Sequence, residues 1–244
     1  MSKKILISVS YGASEEALAA DIGCIEQAMQ AAFPDWELRR AFTSGRVRAL
    51  AARQGRPMPD PAEAVARAKA DGAAQIAVAA LLVSPGGEFE SVEAAAQGLP
   101  VATPLLTDDG DLDTLAAYYG KMQQSLGMPL LIMGHGHPTN GNPAYLRLAA
   151  RLPGGVYLGC LAGEPGLAQV MPALLKQPER ILTVTPLLMS VGGHTLSDMA
   201  GDQPDSWRSQ LTSAGFEVHC QLTGIGRSEV AQQIFAQKLQ ALLG

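Results

Sequence analysis

Along the chain, short β-rich apolar runs alternate with longer Ala-rich stretches whose apolar residues recur at helical spacing. The runs predict strands over Lys4–Val9, Glu37–Phe42, Gln75–Val83, Val101–Leu105, Pro129–Met133, Gly155–Leu161, Arg180–Leu188 and Glu217–Leu222. The stretches between them predict helices over Ser14–Ala32, Asp60–Asp71, Glu88–Gln97, Leu112–Ser125, Asn142–Arg151, Gly166–Lys176, Ser206–Ala214 and Arg227–Leu243. Alternation of this kind builds parallel sheets with crossover helices on both faces, so the fold class is α/β.

These elements fall into two sets that look like copies of one another. Leu81 to Glu88 (LLVSPGGE) and Leu187 to His194 (LLMSVGGH) share five of eight residues. Ala96 to Val101 matches Ser213 to Val218, each with a helix-stopping glycine ahead of a strand. Leu6 to Gly12 and Leu130 to Gly136 are both apolar strands that end in a small residue, a variable one and Gly. The expectation is two similar flavodoxin-like parallel-sheet domains made by internal duplication, an N-terminal one over 1–126 and a C-terminal one over 127–244 that carries the histidines.

Composition narrows the partners. The 244 residues hold 18 Lys and Arg against 23 Asp and Glu, a formal net charge of −5, with 47% hydrophobic residues. That is enough chain to bury a core without disulfides or structural metals. Without a concentrated basic stripe to displace counterions, nucleic acid is not an expected partner. Cys24, Cys160 and Cys220 are odd in number and form no C-x-x-C pair, so they are expected as free thiols. The longest apolar run, Ile76 to Val83, falls well short of the roughly 20 residues that span a bilayer. Ser8, Ser10, Glu15 and Glu16 interrupt any signal-peptide core after Lys3 and Lys4, so a cytoplasmic protein with no membrane partner is expected. Self-association is left open. Gly134-His135-Gly136 and Gly224-Ile225-Gly226 do not complete a dinucleotide fingerprint, because Thr139 and Glu229 stand at its last place, and no P-loop is present. No nucleotide cofactor is expected. The acidic stretch Asp108 to Asp113 lacks EF-hand spacing, and no G-x-S-x-G elbow offers a hydrolase nucleophile.

Ligands of doubly wound α/β units bind outside the carboxyl ends of the strands, and the paired motifs are those loops. Superposing the copies sets Tyr11 opposite His135 and Glu88 opposite His194; if the two halves face each other, these four residues converge on one cleft. Of the four histidines, His135, His137 and His194 follow predicted strands in glycine-containing turns, whereas His219 lies within a strand and is structural. A lone loop histidine is as a rule a packing or capping residue. Two in equivalent loops point to metal or proton chemistry, since neutral imidazole binds divalent metals and titrates near neutral pH. Glu88 is a candidate second base or metal-guiding carboxylate, and equally a helix N-terminal charge. Gly134, Gly136, Gly192 and Gly193 allow close approach of something flat or bulky.

Taken together, Arg40-Ala41-Phe42-Thr43-Ser44-Gly45, Met133-Gly134-His135-Gly136, Gly193-His194, Asp198-Met199-Ala200 and Asp205-Ser206-Trp207 resemble the anaerobic (class II) cobalt chelatases that act on sirohydrochlorin in cobalamin synthesis. That family is similar in fold to ferrochelatase, with two α/β domains gripping a tetrapyrrole. The resemblance implies a metal chelatase, a lyase that inserts a divalent metal into sirohydrochlorin, with cobalt(II) favoured over iron(II) or nickel(II). The metal is then a substrate and the tetrapyrrole the partner molecule. His135 and His194 are implied to hold the metal and accept pyrrole protons, and Glu88 is added to them as a catalytic candidate from its own Gly-Gly-Glu loop. A glutamate ligand is implied after the second strand of the C-terminal half. Ala162 stands there, and Glu164 as metal ligand, Glu88 or His137 are the candidates to replace it. Substrate-binding candidates are Ser10, Tyr11, Thr43, Ser44, Gly87 and Gly136, with Arg46 and the loop amides from Ser10 to Ser14 as further donors for the many carboxylates of the macrocycle. The alternative is a non-catalytic tetrapyrrole or metal carrier; a periplasmic-type binder ranks last because it needs export.

Overall fold

The structure, a computed structural model, describes residues 2–12 and 16–244, with side chains from residue 20 onward in the second stretch. Ser14, the last of the loop amides named above, lies outside the described residues. The strands are β1 (Lys4–Ser10), β2 (Glu37–Phe42), β3 (Gln75–Ala80), β4 (Val101–Ala102), β5 (Leu130–Gly136), β6 (Val156–Ala162), β7 (Ile181–Leu187) and β8 (Glu217–Cys220). The α-helices are α1 (Glu16–Ala32), α2 (Gly45–Arg53), α3 (Pro61–Ala70), α4 (Gly87–Ala96), α5 (Asp109–Leu126), α6 (Pro143–Ala149), α7 (Leu167–Leu174), α8 (Trp207–Ser213) and α9 (Glu229–Leu243). Two four-stranded parallel sheets result, ordered β2-β1-β3-β4 and β6-β5-β7-β8. The identical order is the structural trace of the duplication. It extends to detail, since Gly98 after α4 and Gly215 after α8 both take positive φ ahead of the last strand of their sheet.

In the first unit, alternation along β1 sends Ile5, Ile7 and Val9 into a core with Val65 and Ala68 of α3 and Phe89 and Val92 of α4. The opposite face meets α1 through a buried polar contact: the Ser8 hydroxyl donates to Glu26 at 2.9 Å. Glu26, only 5% exposed, is also the acceptor for the Arg40 guanidinium at the end of β2. Burial of a carboxylate is tolerable because both partners arrive with it. The same pairing holds the Arg40 guanidinium above its ordinary pKa.

In the second unit, Leu131 and Met133 of β5 pack with Val170 and Leu174 of α7, Met199, and Trp207 and Leu211 of α8. The other face is covered by α5, which buries Leu112, Leu115, Ala116 and Tyr119, and by α6, which buries Tyr145 and Leu148. Arg147 of α6 and Arg151, two residues past its end, are ion-paired with Asp109 and Asp113 of α5.

Three sequence expectations are corrected here. The compact units are Met1–Thr107 with Gly226–Gly244, and Asp108–Ile225, rather than 1–126 and 127–244. Each half's last helix belongs to the other unit: α5 packs beside α6 and the sheet of β5, whereas α9 packs on α1, with Arg227 bonded to the buried Asp21 at 2.9 Å. Periodicity reveals an apolar face, not the sheet that face will cover. The segment after β2 also contains a helix, α2, that the apolar pattern missed, because only Ala51 of its residues is buried and three arginines interrupt any apolar run. Ser44 caps it by accepting from the Val47 amide at 3.3 Å. Finally, His194–Met199 forms a π-helical turn where no element was expected.

Among the described residues, no helix is long and apolar enough to cross a membrane. Replacing Arg40 by Met should lower unfolding free energy by about 2 kcal/mol, since it leaves the buried Glu26 with the Ser8 hydroxyl alone. Urea unfolding of Arg40→Met against wild type measures this, and an unchanged midpoint would contradict the pairing described.

Candidate functional site

In each sheet the chain runs to one side from the central strand and then to the other, so the strand order reverses between β1 and β3 and between β5 and β7. Crevices open at the carboxyl ends of such strand pairs. His135 lies at the end of β5 and His194 shortly after β7, on the two sides of the second unit's reversal point. Their rings meet edge to face, with centroids 4.7 Å apart and planes at 76°. Both are exposed, the His194 side chain by 53%, so neither imidazole is spent on core packing.

That spacing has a chemical meaning. An ion bound to an imidazole nitrogen at about 2.1 Å sits about 3.2 Å from the ring centroid, so two imidazoles sharing one ion at about 90–110° place their centroids about 4.5–5.2 Å apart. The observed separation falls inside that window. The hydrogen bonds also set the tautomers. His135 Nδ1 lies 2.8 Å from the Gly136 carbonyl, which can only accept, so Nδ1 carries the proton and Nε2 the lone pair. His194 Nδ1 lies 2.5 Å from Asp198 Oδ2, with the same consequence for an ionised carboxylate. His137 is held the other way, its Nδ1 accepting from the Thr139 amide at 3.3 Å, which leaves Nε2 as the protonated nitrogen.

The loop bearing His135 is locked to the loop after β6. Asn142 is 2% exposed and takes φ +50°, a backbone state that Asn tolerates better than most residues. Its Oδ1 accepts from the His137 amide at 2.7 Å, while Nδ2 donates to the carbonyls of Ala162 at 2.9 Å and Glu164 at 3.0 Å. Gly136, at φ +71°, permits the close approach, for a Cβ there would lie 2.2 Å from the Ala162 carbonyl oxygen. Cys160 is buried beneath, and burial pushes its thiol up to about 12.

Glu164 stands apart from the pair: its carboxylate accepts from Gln169 Nε2 at 3.2 Å, and among the described residues no three His, Cys, Asp or Glu side chains gather as a metal-holding group. In the first unit the candidates form their own cluster at the carboxyl ends of β1, β2 and β3. The Thr43 amide donates to the Ser10 carbonyl at 2.9 Å, the Ser44 amide to that of Tyr11 at 3.3 Å, and the Thr43 hydroxyl to the Glu88 carboxylate. Tyr11 is 56% exposed, and Gly87 and Glu88 open α4. Arg46 is exposed in the first turn of α2.

Sequence reasoning did not single out Asp198 and Asn142 as site residues. The His-x-x-x-Asp spacing within one helical turn is a readable signal for the first; the second acts by bonding its side chain to backbone groups, two of them on the distant loop after β6, and such contacts leave no local pattern.

The family model described as Cobalt chelatase (CbiK) matches residues 3–243. The chain belongs to the CbiK cobalt chelatase family. Two relatives match over nearly their whole length. The sirohydrochlorin cobaltochelatase of Salmonella typhimurium is 29% identical over 99% of this chain and 97% of its own. The sirohydrochlorin cobaltochelatase CbiKC of Nitratidesulfovibrio vulgaris is 26% identical over 99% of this chain and 91% of its own. Among solved structures, the fold is similar to that of the Bacillus subtilis subspecies spizizenii sirohydrochlorin chelatase SirB in complex with cobalt, with a TM-score of 0.62, 14% identity and coverage of 98% and 95% of the two chains. It is similar also to CbiX, the terminal enzyme of siroheme biosynthesis in denitrifying bacteria, with a TM-score of 0.59, 17% identity and coverage of 99% and 100%.

In this CbiK-family chain, Asn142→Ala removes three hydrogen bonds from a buried position and puts Ala at positive φ, so stability should fall by about 2–4 kcal/mol. Chemical denaturation checks the size of the loss, and a change below about 0.5 kcal/mol would contradict the lock.

Proposed function

We propose that the protein inserts a divalent metal, cobalt(II) in preference to iron(II) or nickel(II), into sirohydrochlorin, and that His135 and His194 bind the metal and receive the pyrrole protons. The observation that carries this reading is the exposed imidazole pair at a separation that one shared ion would fit. Metal insertion exchanges two inner N–H protons for one M²⁺, so an acceptor must stand beside the metal. Imidazole serves both ends of that exchange: Nε2 donates its lone pair to the ion, and on release can take a proton near neutral pH. A grip by two imidazoles suits a metal that must leave, in contrast to the closed four-ligand sites that retain zinc. The choice of cobalt rests on the relatives' names, because imidazole accepts all three metals.

Glu88, bound by the Thr43 hydroxyl at the mouth of its own unit, is assigned as an additional carboxylate for metal or proton. Ser10, Tyr11, Thr43, Ser44, Gly87 and Gly136 are assigned to the tetrapyrrole. Glycine usage supports a flat ligand. A Cβ at Gly87, Gly192 or Gly193 would meet nothing within 4 Å, and none of these three has positive φ. Neither packing nor backbone demands glycine there, unlike Gly136; the missing side chain leaves room for something outside the chain. The three free thiols fit a cytoplasmic setting.

Anaerobic mixing of sirohydrochlorin with cobalt(II) and the protein should shift the tetrapyrrole absorption at a rate proportional to enzyme. His135→Ala and His194→Ala should each lower that rate by about a hundredfold or more. Unchanged rates in both variants would overturn the assignment, and tight binding of the cobalt product without turnover would favour a carrier instead. Gly193→Ala should leave the melting temperature unchanged or slightly raised, worth about 0.5–1 kcal/mol at most, while weakening sirohydrochlorin binding. Equal affinity in a binding titration would contradict the close approach.

A further inference from the structure

We propose that Asp198 is a positioning residue that fixes which nitrogen of His194 is offered to the metal, and that it makes the two histidines unequal ligands. The proposal rests on the reading of His194 as a metal ligand. Both imidazoles are held through Nδ1, but by different groups: the neutral Gly136 carbonyl at 2.8 Å behind His135, and the Asp198 carboxylate at 2.5 Å behind His194. A hydrogen bond to an ionised acceptor is roughly twice as strong as a neutral one and strengthens the opposite nitrogen as an electron-pair donor.

The local fold delivers the carboxylate. Thr195 and Met199 are both fully buried and anchor the π-helical turn, and Ala200 donates to the Thr195 carbonyl at 3.1 Å in the wide i to i+5 bond. His194 and Asp198, each about half exposed, lie together on the outer side. Asp198 therefore has no packing duty that would explain its contact with His194.

The consequence is a division of labour. His194, backed by charge, is the firmer ligand. His135, backed by a carbonyl on a loop held rigid by Asn142, is the weaker one and the easier to release. Unequal grips suit an ion that must first be captured and then handed on.

The full-length protein tests this without tetrapyrrole. Cobalt(II) titrations followed by visible absorption should show Asp198→Ala binding ten- to a hundredfold more weakly than wild type. His194→Ala should lose more affinity than His135→Ala. With ¹⁵N-labelled histidine and no metal, the Nδ1–H pattern of His194 should be lost in Asp198→Ala while that of His135 persists, and thermal melting should not change. Cobalt affinity within twofold of wild type, a retained His194 Nδ1–H pattern, or a larger loss in His135→Ala would each overturn the proposal. Should His194→Ala bind cobalt as well as wild type, the metal-ligand reading itself fails, whereas the metal-free spectrum reports separately on Asp198.

Discussion

The histidine pair depends on one topological constraint, the reversal of strand order between β5 and β7. Neighbouring parallel strands whose crossovers leave in opposite directions cannot have both connections cover the gap between their carboxyl ends. Two loops are thereby forced apart in path while starting side by side, and a side chain from each can face the same space. His135 and His194 come from those two loops, which explains how residues nearly sixty positions apart reach a centroid separation of 4.7 Å. The first unit has the same reversal between β1 and β3, and its polar residues, Ser10, Thr43 and Glu88, gather at that end as well.

A crevice supplies space but not precision, and precision comes here from backbone satisfaction. Loops at the carboxyl ends of strands carry amides and carbonyls without ladder partners, and burying them costs free energy unless a side chain steps in. Asn142 does so for three such groups on two loops. Its role is structural in energy and functional in effect, because the same bonds that make burial tolerable keep the Gly136 turn, and thus the His135 Nδ1 contact, in one geometry.

Much of this was legible in the sequence, for physical reasons that differ between residues. The strands could be read because buried parallel strands are continuous apolar runs, and the duplication because Leu81–Glu88 and Leu187–His194 preserve the same loop chemistry. The histidines stood out because few exist and two follow corresponding strands. What escaped was whatever depends on partners distant in sequence. The apolar face of α5 suits the first sheet or the second equally well until Tyr119 and Leu115 find their places, so the boundary was set too late and the exchange of α5 and α9 went unseen. Helix α2 has so little buried surface that its Ser44 cap is its clearest signature, and a cap alone does not identify a helix.

The two units show how one scaffold accommodates different chemistry at equivalent positions. Where the second carries His194 after a Gly-Gly turn, the first carries Glu88; the backbone of each loop is glycine-rich and open, so exchanging imidazole for carboxylate disturbs no packing. A duplicated fold is free to diverge most at these carboxyl-end loops, because cores such as Ile5, Ile7 and Val9, or Leu131 and Met133, are indifferent to what the loops display. Imidazoles concentrated in one copy give a metal two like donors at short range, whereas the carboxylate and hydroxyl of the other are harder, more hydrated groups. The asymmetry between the copies is thus one of donor type, imidazole nitrogens in one and harder oxygens in the other, and under the proposed function the imidazole pair is the one suited to hold and release a transition metal.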